Sequence, residues 1–169
     1  KLMAGSWGTL AILTEVTIKV LPAPRAETTL MLFGLADVKA GEAMGVAMNG
    51  PFEVSGAAHL PVFAARARPL KADMAVTALR LEGFAASVAA RAESLASALK
   101  GFGRIETLDA DQSREFWGQV REVEAFAGDP RPLWRVSLPP ASGWRAPHAL
   151  SGDALYDWAG GLAWLLTDE

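Results

Sequence analysis

The chain has 169 residues, 51% of them hydrophobic and 21% charged, with a formal net charge of −3. This is a globular composition with enough chain for one domain and a sizeable core, and the slight negative charge leaves no basic footprint for nucleic acid. There is no cysteine, which excludes disulfides, thiolate metal sites, cysteine nucleophiles and iron–sulfur ligation by this chain, and no apolar run reaches the roughly 20 residues that a membrane-spanning helix needs.

The chain opens on a turn, Gly5-Ser6-Trp7-Gly8, followed by Thr9 to Val20, whose β-branched content and alternation predict a strand. Pro22 and Pro24 end it and mark the expected domain boundary, with 1–24 before it and 25–169 after it. Thr28 to Leu35 reads as a strand, Asp37 to Met48 as a helix closed by Asn49-Gly50-Pro51, and Phe52 to Leu60 as a strand. Pro61 to Lys71 is a basic, proline-containing connection. Ala75 to Glu82 alternates as a strand, and Phe84, Val88, Ala92, Leu95 and Leu99 form a stripe at helical spacing closed by Gly101 and Gly103. Arg104 to Leu108 is a short strand.

This order, β-α-β-β-α-β, is the ferredoxin-like split unit. It predicts an α+β fold, an antiparallel sheet with both helices on one face. Asp109 is placed to cap a further helix with Gln112 in the capping-box position, and Phe116, Val120 and Val123 mark its buried side. Pro132 to Leu138 reads as a strand, Pro139 to Gly152 as irregular, and Tyr156 to Leu166 as a closing hairpin that turns at Ala159-Gly160-Gly161.

Two places invite chemistry. In the Gly5–Ile12 loop (Gly5, Ser6, Trp7, Gly8, Thr9, Leu10, Ala11, Ile12) a backbone turn with little side chain can approach a ligand closely; a plain β-turn leading into a hairpin fits the same glycines. Arg135, next to Trp134 and between Pro132 and Pro139, can hold a carboxylate bidentately, or serve in a surface ion pair or cation–π stack. Arg66, Arg68 and Lys71 read as a solvated loop. His59 and His148 belong to no cluster of histidine and carboxylate residues, no metal ligand set is expected, and His59 reads as structural. Asp109 and Asp111 read as capping residues. Trp117, Trp134, Trp144, Trp158 and Trp164 suit either a ligand-facing or subunit-facing surface or the core.

The segment GSWGTLAILTEVTIKVLP resembles the end of the FAD-binding domain in the vanillyl-alcohol-oxidase type of FAD-linked oxidase, where a GS-x-G-T-L-G-I-I-T-E-x-T-L-K-L-x-P pattern is typical. Trp7 stands where Glu is common, and Ala11 where Gly is common. The KLMAGS lead, the aromatic residue before Gly8, Leu133–Pro139 and Tyr156–Leu165 are most similar to the FAD-binding E subunits of bacterial glycolate oxidases.

The resemblance implies that residues 1–24 are the remnant of an FAD-binding domain and 25–169 a cap, or substrate, domain. Gly5 to Ile12 would then line FAD, largely through main-chain atoms. It further implies a small 2-hydroxy acid as substrate, with glycolate oxidised to glyoxylate. Partners would be a homologous flavoprotein subunit and an iron–sulfur subunit, and the location cytoplasmic, with attachment to the inner membrane through partner subunits. Lys1 in place of an initiator Met adds the expectation of a C-terminal fragment that has FAD only in the intact parent. The alternative, from the element order alone, is a ferredoxin-like module for small-ligand binding or dimerisation. The two differ over Thr9–Val20, integrated in the sheet in a self-contained module but an exposed appendage in a piece of a flavoprotein.

Overall fold

A computed structural model describes residues 2–20, 22–67, 70–142, 144–145 and 152–168. Seven strands, β1 (Ala26–Phe33), β2 (Val54–Leu60), β3 (Val76–Gly83), β4 (Ile105–Leu108), β5 (Leu133–Ser137), β6 (Asp153–Asp157) and β7 (Leu162–Leu166), form one antiparallel sheet in the order β4-β1-β3-β2-β6-β7-β5. The first four stand in the ferredoxin-like order, with β1 beside β3 and β4 at the edge. The C-terminal strands extend that sheet past β2.

Period-two alternation decides what each face carries. On β1, Leu30 and Leu32 point to one side and Met31 to the other; on β3, Leu79 and Leu81 oppose Val76 and Ala78. The first face is covered by α1 (Asp37–Asn49), through Ala40, Ala43, Met44 and Ala47, and by α3 (Ala85–Ala98), through Val88 and Leu95. Both helices of the split unit therefore lie on one face, as the element order predicts. The other face is covered by α4 (Ala110–Arg121), through Phe116, Trp117 and Val120, and by the single turn α2 (Val62–Ala65). Asp109 caps α4: its carboxylate accepts from the N–H groups of Asp111 and Gln112, and the Gln112 side chain accepts from the Asp109 N–H.

Three expectations change. Residues 9–20 form no strand. β-Branched composition supplies only a propensity, and a strand exists where a ladder partner satisfies its backbone; among the described residues none pairs with this segment. Its large apolar side chains are exposed, Ile12 at 92%. Phe84 leaves the α3 stripe: it is the N-cap, with extended backbone (φ −81°, ψ 141°), so its side chain is exposed beneath Arg25 while Val88, Leu95 and Leu99 are buried. The connection after β2 contains α2, a turn too short for periodicity to show.

An ion-pair hub ties the loop before β5 to the C-terminal hairpin. Arg131 donates Nε and Nη2 to the two carboxylate oxygens of Asp129 (3.0 and 2.9 Å) and Nη1 to Asp153 (3.0 Å), and stacks over Phe63. The Arg131 side-chain bonds, followed by its backbone N–H, hold the Asp129 carboxyl below its ordinary value. Because the folded-state value is depressed, the stabilisation is present above the unfolded value and is lost as pH falls through the folded one. Asp129→Asn is thus expected to lower the urea midpoint at neutral pH, with the gap to the parent closing below the ordinary carboxylate range. A gap that stays constant down to acid pH would contradict this.

Candidate functional site

On the face that carries α4, the helix packs against β1 and β4, at one end of the sheet, and the C-terminal strands lie towards the other end. The uncovered part of the sheet forms a groove of about 690 Å³, walled by α4 on one side and by β5, β6 and the turn after β6 on the other. Its chemistry is dominated by arginine and tryptophan.

The α4 wall is set by Trp117. Its Nε1 donates to Thr29 Oγ1 (2.8 Å), which shares a hydrogen bond with Ser113 (2.7 Å), and Ser113 donates to Glu27 (2.6 Å). Phe116 meets the indole edge-on at 5.3 Å. The indole lies over Gly56, where a Cβ would come within 3.1 Å of it, and where the β2–β3 register shifts. A side chain at this position would press the ring away from the sheet. Arg80 stacks on the outer face of the same ring, 5.0 Å from its centroid, and pairs with Glu82 at 3.2 Å.

The opposite wall holds Arg135. Its guanidinium lies 5.1 Å from the Trp158 ring centroid and 5.9 Å from that of Trp164, its partner across the β5–β7 pair. Four arginines line the groove. Arg80, Arg114 and Arg121 pair with Glu82, Asp111 and Glu122; among the described residues no carboxylate pairs with Arg135. The cation–π reading of Arg135 is realised, with Trp158 and Trp164 rather than the adjacent Trp134.

The turn that presents Trp158 is strained. Trp158 (φ 52°) and Ala159 (φ 56°) both occupy the left-handed region, and Gly160 (φ 90°) follows. Such backbone costs of the order of 1–3 kcal/mol per non-glycine residue and persists only where its surroundings enforce it. The turn packs closely on Pro140: a Cβ on Gly160 would stand 2.9 Å from the Pro140 carbonyl oxygen. The result is a Trp158 ring that is 57% exposed yet fixed against Arg135. Asp157, also lining the groove, accepts the Trp158 N–H at 2.7 Å. Burial pushes its carboxyl above the ordinary value, against that hydrogen bond and the Arg80 charge, which pull it down.

The Gly5–Ile12 loop lies apart from this groove. Gly5 (φ 81°), Trp7 (φ 52°) and Gly8 (φ 78°) are left-handed, and Ser6 O accepts both the N–H and the hydroxyl of Thr9 (3.0 and 2.6 Å). A Cβ on Gly5 or Gly8 would meet nothing within 4 Å, and Trp7 is 96% exposed. The loop and Arg135 are not brought together by the described residues.

His59 is structural, as its apolar context predicts. It is 1% exposed, its Nδ1 bonds Thr77 at 2.9 Å, and its ring stacks with Tyr156 at 5.8 Å. Its Nε2 sits 3.4 Å from Asp37 Oδ1 without hydrogen-bond geometry, while the Tyr156 hydroxyl donates to Asp37 Oδ2 at 2.5 Å. Burial, and next this carboxylate, raise the Tyr156 phenol far above its ordinary value. His148 and Arg68 lie outside the described residues; Arg66 is an exposed residue 3.8 Å from Asp73. Among the described residues no group of acidic and histidine side chains could hold a metal ion, and no helix is long and apolar enough to cross a membrane. The tryptophans divide: Trp117 is buried, Trp134 and Trp158 are exposed, and Trp144 and Trp164 are half-buried.

Arg80 and Asp157 were not legible as site residues. Each looks like an ordinary strand position, and only the packing of α4 and the extension of the sheet past β2 place them in one groove with Arg135. The one local signal was the run Asp157-Trp158-Ala159-Gly160-Gly161, an aromatic residue at the mouth of a tight turn.

No protein-family model matches the chain. The chain is 34% identical over 170 aligned residues to glycolate oxidase subunit GlcE of Escherichia coli (strain K12), a match covering 98% of this chain and 39% of GlcE. Its fold is similar to that of 4-ethylphenol oxidase from Gulosibacter chungangensis, solved as an isoeugenol complex, with a TM-score of 0.55 at 12% identity over 86% of this chain and 40% of that one. The chain therefore spans about two-fifths of each of these two proteins. The resemblance read from the opening motif and the C-terminal hairpin holds along nearly the whole sequence: this chain is similar to the E subunit of glycolate oxidase and shares its fold with part of an oxidase.

Proposed function

We propose that this chain is the C-terminal part of an FAD-dependent subunit that oxidises a small 2-hydroxy acid of the glycolate type. Residues 1–24 belong to its FAD-binding domain and 25–169 form the cap over the substrate. The observation that carries the reading is Arg135: a guanidinium held between two indoles, facing a groove, with no carboxylate partner among the described residues. A 2-hydroxy acid brings the carboxylate that such a group binds. The similarity to GlcE supports the same substrate class.

FAD is the group this reading implies, and the opening turn fits it. Its left-handed residues leave an open, side-chain-poor face at Gly5 and Gly8 that a flat ring or a phosphate can approach. Gly5 to Ile12 would hold it through main-chain atoms, and the chemistry it supplies when bound is acceptance of a hydride. Arg135 binds and orients the carboxylate, Trp158 and Trp164 hold that guanidinium in place, and Asp157 faces the rest of the substrate. The exposed, unpaired segment 9–20 is the arrangement expected of an appendage, so a self-contained dimerisation module is not favoured. These 169 residues contain no cysteine to ligate an iron–sulfur cluster; an iron–sulfur subunit and a homologous flavoprotein subunit complete the proposed assembly in the cytoplasm, attached to the inner membrane through those partners.

The test is anaerobic mixing of the complete FAD-loaded protein with glycolate. Bleaching of the oxidised flavin band together with formation of glyoxylate is the expected result. A flavin that glycolate and lactate both leave oxidised would overturn the reading. The isolated 169 residues are expected to purify without stoichiometric flavin, because residues 1–24 provide only one edge of the site.

A further inference from the structure

We propose that Asp157 is the residue by which the groove distinguishes a 2-hydroxy acid from the 2-oxo acid it becomes, accepting a hydrogen bond from the substrate hydroxyl and offering no donor to the product's keto oxygen. The inference rests on the reading that Arg135 anchors the carboxylate, and it deepens that reading by assigning a residue to the atom beside the carboxylate.

The geometry carries the argument. Asp157 ends β6 at the strained turn that presents Trp158 to Arg135, so its carboxylate and the guanidinium are built into one wall of the groove. One oxygen, Oδ1, is fixed by the Trp158 N–H; among the described residues Oδ2 has no hydrogen-bond partner. An ionised carboxylate is an acceptor only. A hydroxyl satisfies it, whereas a keto oxygen placed against it brings two acceptors together and leaves both unsatisfied. Sites built to bond a hydroxyl reject its oxidised or deleted analogue for this reason. The charged groups facing the site are Glu27 on β1, Arg80 on β3, Arg114 and Arg121 on α4, Arg135 on β5 and Asp157 itself. The raised carboxyl of Asp157 sets where discrimination is lost: below it, the protonated group donates to either oxygen.

The measurement is calorimetric titration of the protein with each enantiomer of lactate and with pyruvate, which share a carbon skeleton. At about pH 8, well above the carboxyl range, the preferred lactate is expected to bind about tenfold more tightly than pyruvate, one hydrogen bond's worth. The ratio should fall towards one as pH drops through the Asp157 titration. Asp157→Asn, whose amide both donates and accepts, should bring the ratio near one at every pH, while Arg135→Met should weaken binding of both acids by about a hundredfold.

If binding needs Arg135 but the ratio is unchanged in Asp157→Asn, the inference is wrong and the carboxylate reading stands. If Arg135→Met binds as the parent does, or the parent binds neither acid, that reading falls and takes the inference with it. Should Asp157→Asn misfold, the parent's own pH profile decides: a ratio that stays flat across the carboxyl range overturns the assignment.

Discussion

Trp117→Ala is expected to destabilise the fold by about 3–5 kcal/mol, the range for removing a large buried aromatic. The indole is 8% exposed and sits at the centre of the α4 face. Its loss removes the edge-on contact with Phe116, the surface on which Arg80 stacks and the ring that fills the space above Gly56. It also removes the Nε1 donor from the Thr29–Ser113–Glu27 chain, although Thr29 keeps Ser113 as a partner. Trp117→Phe separates the two contributions. It keeps much of the packing and loses the N–H, so its cost should stay near the 1 kcal/mol of a single hydrogen bond plus a small cavity. Urea denaturation followed by circular dichroism measures both. An alanine variant that loses less than about 1 kcal/mol would show that α4 is held by something other than Trp117.

Arg135→Met is expected to weaken 2-hydroxy-acid binding by about a hundredfold, the scale of a charge-assisted, two-bond contact with a carboxylate. The fold should be almost unchanged, because the guanidinium is exposed and pairs with no carboxylate among the described residues; methionine retains much of the stem that packs along Trp158 and Trp164. In turnover by the complete protein, the loss should fall mainly on KM if Arg135 only holds the carboxylate, and on kcat as well if it also orients the carbon being oxidised. Arg135→Lys is an informative companion. It keeps the charge but not the planar fork, so partial recovery identifies charge as the main contribution, and no recovery identifies geometry. A methionine variant with unchanged affinity and KM would remove Arg135 from the site.

The two variants probe different levels of the molecule, and the same division separates what was readable in advance. The βαββαβ order, the cap at Asp109 and Gln112 and the closing hairpin at Ala159-Gly160-Gly161 were legible because each depends on residues within a few positions of one another. Alternation, capping and turn chemistry act over that range. Thr9–Val20 misled for the complementary reason: its local preference is for strand, but a strand is completed by a neighbour, and among the described residues none is supplied. Phe84 fits the helical stripe by number, yet the helix begins one residue later.

What the sequence by itself determined, then, is most of the local elements and the motif that resembles FAD-linked oxidases, because both are written in contiguous residues. What only the tertiary structure decided is the groove. Glu27, Arg80, Trp117, Arg135 and Asp157 come from β1, β3, α4, β5 and β6 and meet because α4 covers only part of its face and the sheet continues past β2. Side-chain proximity across strands is set by register and layer packing, which depend on the whole core at once, so no spacing along the chain could have announced it.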